Sequence, residues 1–113
     1  MRPDGFPQLV PYCFVERAHD FVRFLVDALG GAELQRSLRP DGAIANAMVA
    51  FDGVTIMVSE CSPEFPAMPG SYYLYVADAD AVVAAALAKG ASLAMPVGDM
   101  PYGERQGGVR DLR

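Results

Sequence analysis

One unit of this chain occurs twice, and that repetition limits the possible folds more than any composition does. Residues 12–34, YCFVERAHDFVRFLVDALGGAEL, align with residues 72–93, YYLYVADADAVVAAALAKGASL. With Tyr12 set on Tyr73, Phe14 falls on Tyr75, Val15 on Val76, Ala18 on Ala79 and Val22 on Val83. Further on, Gly31-Ala32-x-Leu34 matches Gly90-Ala91-x-Leu93 once the second copy is taken as two residues shorter. Each copy opens as a strand and passes into helical spacing. The apolar positions are Ala18, Phe21, Val22, Leu25, Ala28 and Leu29 in the first, and Ala79, Val82, Val83, Ala86 and Leu87 in the second. Each helix stops at glycine, which suits a C-terminal cap, and Asp78 suits the N-cap of the second helix. Repetition of a whole strand–helix unit points to two like supersecondary modules.

Three strand-like runs follow the first helix. AELQRSLR ends at the turn Pro40-Asp41-Gly42. AIANAMVAF ends at Asp52-Gly53, a strong hairpin signal, and VTIMVSE ends at the loop CSPEFPAMPG. The first module therefore reads βαβββ. The second repeats β and α, then offers a short strand near residues 92–97 and one more within DMPYGERQGGVRDLR, which leaves it one strand short. The expected fold class is α+β: paired βαβββ modules forming a curved mixed sheet around a cavity. A chain of 113 residues fits one domain so built, with modules at about residues 7–60 and 71–113.

Charge and hydropathy exclude several partners. The net charge is −5 with no run of Lys or Arg, so nucleic acid is not expected. Apolar stretches break well short of the roughly 18 residues that span a bilayer. The N-terminal MRPDGFPQLVPY has no apolar signal core, so a cytoplasmic protein is expected. Cys13 and Cys61 stand in no metal-type spacing and read as reduced thiols.

Alternation sorts the strand residues by face. Val15 and Val76 lead into the helices, so their face packs beneath the helices. The other face carries Tyr12 and Phe14 in the first module and Tyr73 and Tyr75 in the second. By the same rule Asn46, Met48, Met57, Thr55 and Ser59 share the cavity side, and the β-branched sets share the helix side. Aromatic rings with polar tips suit a small organic molecule, planar or apolar; equally, such rings can simply fill the interior of a small sheet. Met48 and Met57 adapt to a ligand or fill gaps. Arg105 or Arg110 can fork onto a carboxylate or phosphate, so the expected ligand is aromatic or acidic; the plainer alternative is a loop of solvated charges. His19 lies off the apolar stripe and reads as a solvent-facing helix residue. No Ser/His/Asp or Cys/His nucleophile set is present, and Gly107-Gly108 lacks the Lys-Ser/Thr of a phosphate loop.

The stretches VPYCFVERAHDFVRFLVDALGGAEL, RPDGAIANAMVAFDGVTIMVSE, YLYVADADAVVAAALAKGA and PVGDMPYGERQGGVRDLR, in this order, cover most of residues 9–113. They resemble the glyoxalase/bleomycin-resistance/extradiol-dioxygenase superfamily, in particular its small bacterial glyoxalase-like branch. The resemblance implies a cavity enclosed by two modules, often paired across a homodimer interface. Metal-binding members place His or Gln near the start of the first strand of each module and Glu near the end of each last strand. Carried over, these positions fall on Val10 or Tyr12, on Ser71 or Tyr73, and on Glu60; the fourth has no residue to fall on. Asn46 falls where related sequences often carry His. The resemblance therefore implies a binding protein without metal or other cofactor. Its ligand contacts are expected at Tyr12, Phe14, Asn46, Met48, Met57, Tyr73, Tyr75 and Arg105. The alternatives are a metal-dependent lyase or dioxygenase whose site a partner chain completes, and a truncated structural relic.

Overall fold

A computed structural model describes residues 7–111. Its first half is a complete βαβββ unit: β1 (Tyr12–Val15), α1 (Ala18–Asp27), β2 (Ala32–Leu38), β3 (Ile44–Phe51) and β4 (Val54–Glu60). These strands form one mixed sheet in the order β1-β4-β3-β2. The two hairpins follow the turn signals, Pro40-Asp41-Gly42 between β2 and β3 and Asp52-Gly53 between β3 and β4. β4 then runs beside β1 in parallel, with Tyr12 opposite Met57 and Phe14 opposite Ser59. A parallel pair needs a crossover, and α1 is part of it.

The core lies between α1 and one face of this sheet. Val15, Ile44, Ala47, Val49 and Val58 are shut off from solvent beneath Phe21, Val22, Phe24 and Leu25. Of the helical stripe read from the sequence, Ala18, Phe21, Val22, Leu25 and Ala28 are buried and Leu29 is partly buried, with Phe24 added to them.

The second half holds α2 (Ala79–Ala88), β5 (Ser92–Asp99) and β6 (Arg105–Arg110), the strands forming an antiparallel pair under the helix. The Asp78 side chain accepts from the Ala81 N–H, as its N-cap reading requires. Gly30 and Gly90 both adopt positive φ after their helices, and β2 and β5 start two residues beyond each. The second copy is thus one residue shorter than the first, not two, and Gly31 corresponds to Ala91.

Residues 72–76 form no strand, contrary to the expectation from their alternation. The reason is non-local. β1 is held by β4, which arrives after two hairpins; among the described residues the second half has no counterpart of β4. The segment pairs with no strand and its tyrosines are exposed. It is tied to the first unit through the Tyr72 hydroxyl, 2.7 Å from Cys13 Sγ, and the preceding loop is tied there by the Met68 N–H donating to the Phe14 carbonyl. The thinner second layer also leaves α2 poorly covered. Of its expected stripe only Ala86 is buried, and Leu87 is exposed. Among the described residues no helix is long and apolar enough to cross a membrane.

Candidate functional site

The sheet face opposite α1 carries five of the residues expected at a ligand site. The register lines up Gln35, Met48, Met57 and Tyr12 across β2, β3, β4 and β1. Phe14 stacks on Tyr12 at 4.7 Å between ring centroids, and Phe65 stacks on the other side of Phe14 at 5.1 Å. Neither helix covers this face: α1 packs on the reverse side and α2 on β5 and β6.

The polar groups of the face form one directed chain. Ser59 Oγ donates to the Ala45 carbonyl at 2.7 Å. Its oxygen therefore accepts from the Tyr12 hydroxyl at 2.6 Å, and the Tyr12 oxygen accepts from Asn46 Nδ2 at 3.2 Å. Tyr12 and Asn46 are held in fixed orientation over the nearly buried Ser59.

Tyr73, Tyr75 and Arg105 lie elsewhere, along a groove of about 740 Å³ between residues 69–76, both helices and β6, among Phe24, Val83 and Met95. The Tyr73 hydroxyl donates to Glu104 at 2.8 Å or to Gln106 at 3.0 Å. The bond to Glu104, then desolvation and the Glu104 charge, push its pKa from 10.0 up to about 12. A raised acid pKa means the folded state retains the proton more strongly, so this contribution to stability is complete below pH 10.0 and is lost as pH rises through about 12. Ultraviolet titration should show a tyrosine ionising at about 12, and Tyr73→Phe should abolish that step.

Arg105 is already engaged by carboxylates of its own chain. Asp80 holds it with two bonds, at 2.7 and 3.0 Å, and Asp99 adds a third at 3.1 Å. The same contact holds the Asp80 carboxyl below the usual carboxylate range. The three side chains are exposed, so the cluster is a solvated surface ion-pair network.

His19 is half-buried and bridges two elements, unlike the solvent-facing residue expected. Its Nδ1 accepts from Arg36 at 2.9 Å and its Nε2 donates to the Gly42 carbonyl at 2.9 Å. Arg36 also pairs with Glu33. The ring thereby ties α1 to the β2–β3 hairpin.

Glu60 has a structural task that its place at the end of β4 did not disclose. Its carboxylate accepts from the Ala18 N–H at 2.9 Å and from the Arg17 N–H at 3.2 Å. Arg17 is in the left-handed region, φ 53°, where the chain turns abruptly from β1 into α1. Glu60 is thus the N-terminal cap of α1, supplied across the sheet. Glu60→Gln, which keeps one acceptor and loses the charge, should cost about 1 kcal/mol, and Glu60→Ala about 2 kcal/mol, by urea denaturation.

These roles bear on the metal of the resembling family. Among the described residues no group of three or more His, Cys, Asp or Glu could hold an ion. The Tyr12 hydroxyl is committed to Ser59, the Tyr73 hydroxyl to Glu104 and Gln106, and the Glu60 carboxylate to the helix. The residues at the ligand positions do not fit a divalent ion.

Phe65 and Gln35 belong to the open face and escaped the sequence reading. Phe65 stands in the aperiodic loop CSPEFPAMPG, where a lone aromatic among Pro and Ser was the only available signal. Gln35 precedes no regular alternation, because β2 has a register shift between Glu33 and Gln35.

No family model matches the sequence. An uncharacterised protein of Mycobacterium bovis is 30% identical over 116 aligned residues, covering 93% of this chain and 76% of that protein. An uncharacterised protein of Mycobacterium tuberculosis matches equally, over 68% of its length. Among solved structures, TioX from Micromonospora sp. ML1 superposes with a TM-score of 0.69 at 28% identity, over 94% of this chain and 90% of that one. Protein PA1353 from Pseudomonas aeruginosa superposes with a TM-score of 0.74 at 22% identity over the same shares. A glyoxalase/bleomycin resistance protein/dioxygenase superfamily member from Sphaerobacter thermophilus does so with a TM-score of 0.64 at 22% identity, again over 94% and 90%. With the βαβββ unit, these relationships place the chain in one family with the uncharacterised mycobacterial proteins, and show that it has the fold of glyoxalase/bleomycin resistance protein/dioxygenase superfamily members.

Proposed function

We propose that this protein binds a flat small organic molecule on the open face of its four-stranded sheet, without a resident metal. The observation that carries this reading is the stack of Tyr12, Phe14 and Phe65 beside Met48 and Met57, on a face that neither helix covers. Exposed aromatic surface of this kind is costly in water unless something packs on it. Stacked rings favour another ring in offset contact, and methionines adapt to its outline. The fixed Tyr12–Asn46 pair supplies polar atoms at one edge, as ligand sites commonly do. The absence of a fitting donor set among the described residues supports binding through rings and hydrogen bonds instead of an ion.

A thermal-shift screen of aromatic compounds against wild type and Phe14→Ala tests this. Hits should lose about tenfold or more in affinity when the ring is removed. Hits that are indifferent to Phe14→Ala but lost in Tyr75→Ala would contradict the proposal and move the site to the groove. Elemental analysis of the purified protein should find no stoichiometric transition metal; mole-for-mole metal would contradict the metal-free reading.

A further inference from the structure

We infer that the ligand of this face is uncharged and carries a hydrogen-bond donor at one edge, so that the acidic class is excluded; the inference rests on the proposed open-face site. The first support is the placement of charge. The face's rows are Gln35, Met48, Met57 and Tyr12, then Phe14 and Ser59, with Asn46 and Phe65 beside them. None of these residues is an Asp, Glu, Lys, Arg or His. Glu33 and Arg36 pair in register with Val49 and Ala47, which are buried on the α1 side, so they stand on the opposite face. Glu60 is turned to the α1 terminus, and Arg39 donates to the Glu60 carbonyl at 2.7 Å. Arg105, the expected anion fork, is held by Asp80 and Asp99. An anion placed on these rows would exchange its hydration for rings and thioethers, and none of the row residues offers it a cation, which is unfavourable.

The second support is the direction of the hydrogen bonds. Ser59 spends its proton on Ala45, so Tyr12 must spend its own on Ser59, and Asn46 must present its amide N–H to Tyr12. That assignment fixes the Asn46 amide orientation. Its Oδ1 is left as an acceptor with no partner among the described residues. The Tyr12 oxygen, already donating one bond and accepting another, likewise has acceptor capacity only. The edge therefore calls for an N–H or O–H from the ligand, and a ligand presenting only acceptors there meets a lone pair.

Three probes of nearly equal shape separate the elements of the inference: indole, N-methylindole and indole carboxylate. Binding is followed by the methyl resonances of Met48 and Met57 in the full chain. Indole should shift both and bind about three- to tenfold more tightly than N-methylindole. Indole carboxylate should bind more weakly than either. In Asn46→Leu the preference for indole over N-methylindole should vanish while N-methylindole still binds. Equal or tighter binding of the carboxylate would overturn the inference, as would an indole preference that survives in Asn46→Leu; both leave the open-face site standing. Absence of any shift at Met48 and Met57 with all three probes would overturn the site itself, and the inference with it.

Discussion

Phe21→Ala should lower the free energy of unfolding by about 3–5 kcal/mol. The ring is 1% exposed and belongs to the single layer between α1 and the four-stranded sheet. Its neighbours in that layer, Val15, Ile44, Val49 and Val58, are strand residues fixed by hydrogen-bonded partners on both sides or by β1's pairing. Strands so held cannot collapse into the space left by a benzyl group, so the loss combines transfer and cavity contributions. Natural domains are stable by only about 5–15 kcal/mol, and here the second half adds little buried area, so the substitution consumes a large share of the margin. Urea denaturation is the check: the midpoint should fall steeply with an unchanged slope. A loss under about 1 kcal/mol would show that the first unit is not where stability resides.

Gly31→Ala should cost about 1–3 kcal/mol by overpacking. A Cβ at this position would lie 2.6 Å from Val49 Cγ1, 2.8 Å from Phe51 Cζ and 3.1 Å from the Leu25 carbonyl. Val49 is completely buried, and the Leu25 carbonyl already accepts from the Gly31 N–H, so neither yields readily. Its neighbour Gly30 offers the opposite case, with φ 80° and open space where a methyl group would stand, so Gly30→Ala strains the backbone without any clash. The two mechanisms separate in a double-mutant cycle. Val49→Ala should recover part of the stability lost in Gly31→Ala and none of that lost in Gly30→Ala. Equal coupling in both pairs would refute the steric account of Gly31.

The first unit was legible because its determinants are local. Asp52-Gly53 and Pro40-Asp41-Gly42 set the hairpins, and the spacing of Ala18, Phe21, Val22 and Leu25 set the buried side of α1. Alternation then placed Tyr12, Phe14, Asn46, Met48 and Met57 on one face, where the register finds them. The second unit has equally good local signals, yet residues 72–76 make no strand and α2 buries only Ala86. Both depend on a neighbouring strand, which no local pattern encodes. The site shows the same division. Arg105 looked like an anion fork because its partner Asp80 lies 25 residues away, and Glu60 looked like a survivor of a metal set because its real partners, the Arg17 and Ala18 amides, are reached across the sheet. Charges and caps whose partners come from distant sequence are assigned by topology, not by motif.

The most direct measurement of the account is a calorimetric titration of the best aromatic hit, before and after exhaustive chelation of the protein. Ligand held by the Tyr12–Phe14–Phe65 stack and the Asn46 edge needs no ion, so affinity and stoichiometry should be the same in both titrations. Binding that disappears on chelation and returns on adding a divalent metal would contradict the account at its centre.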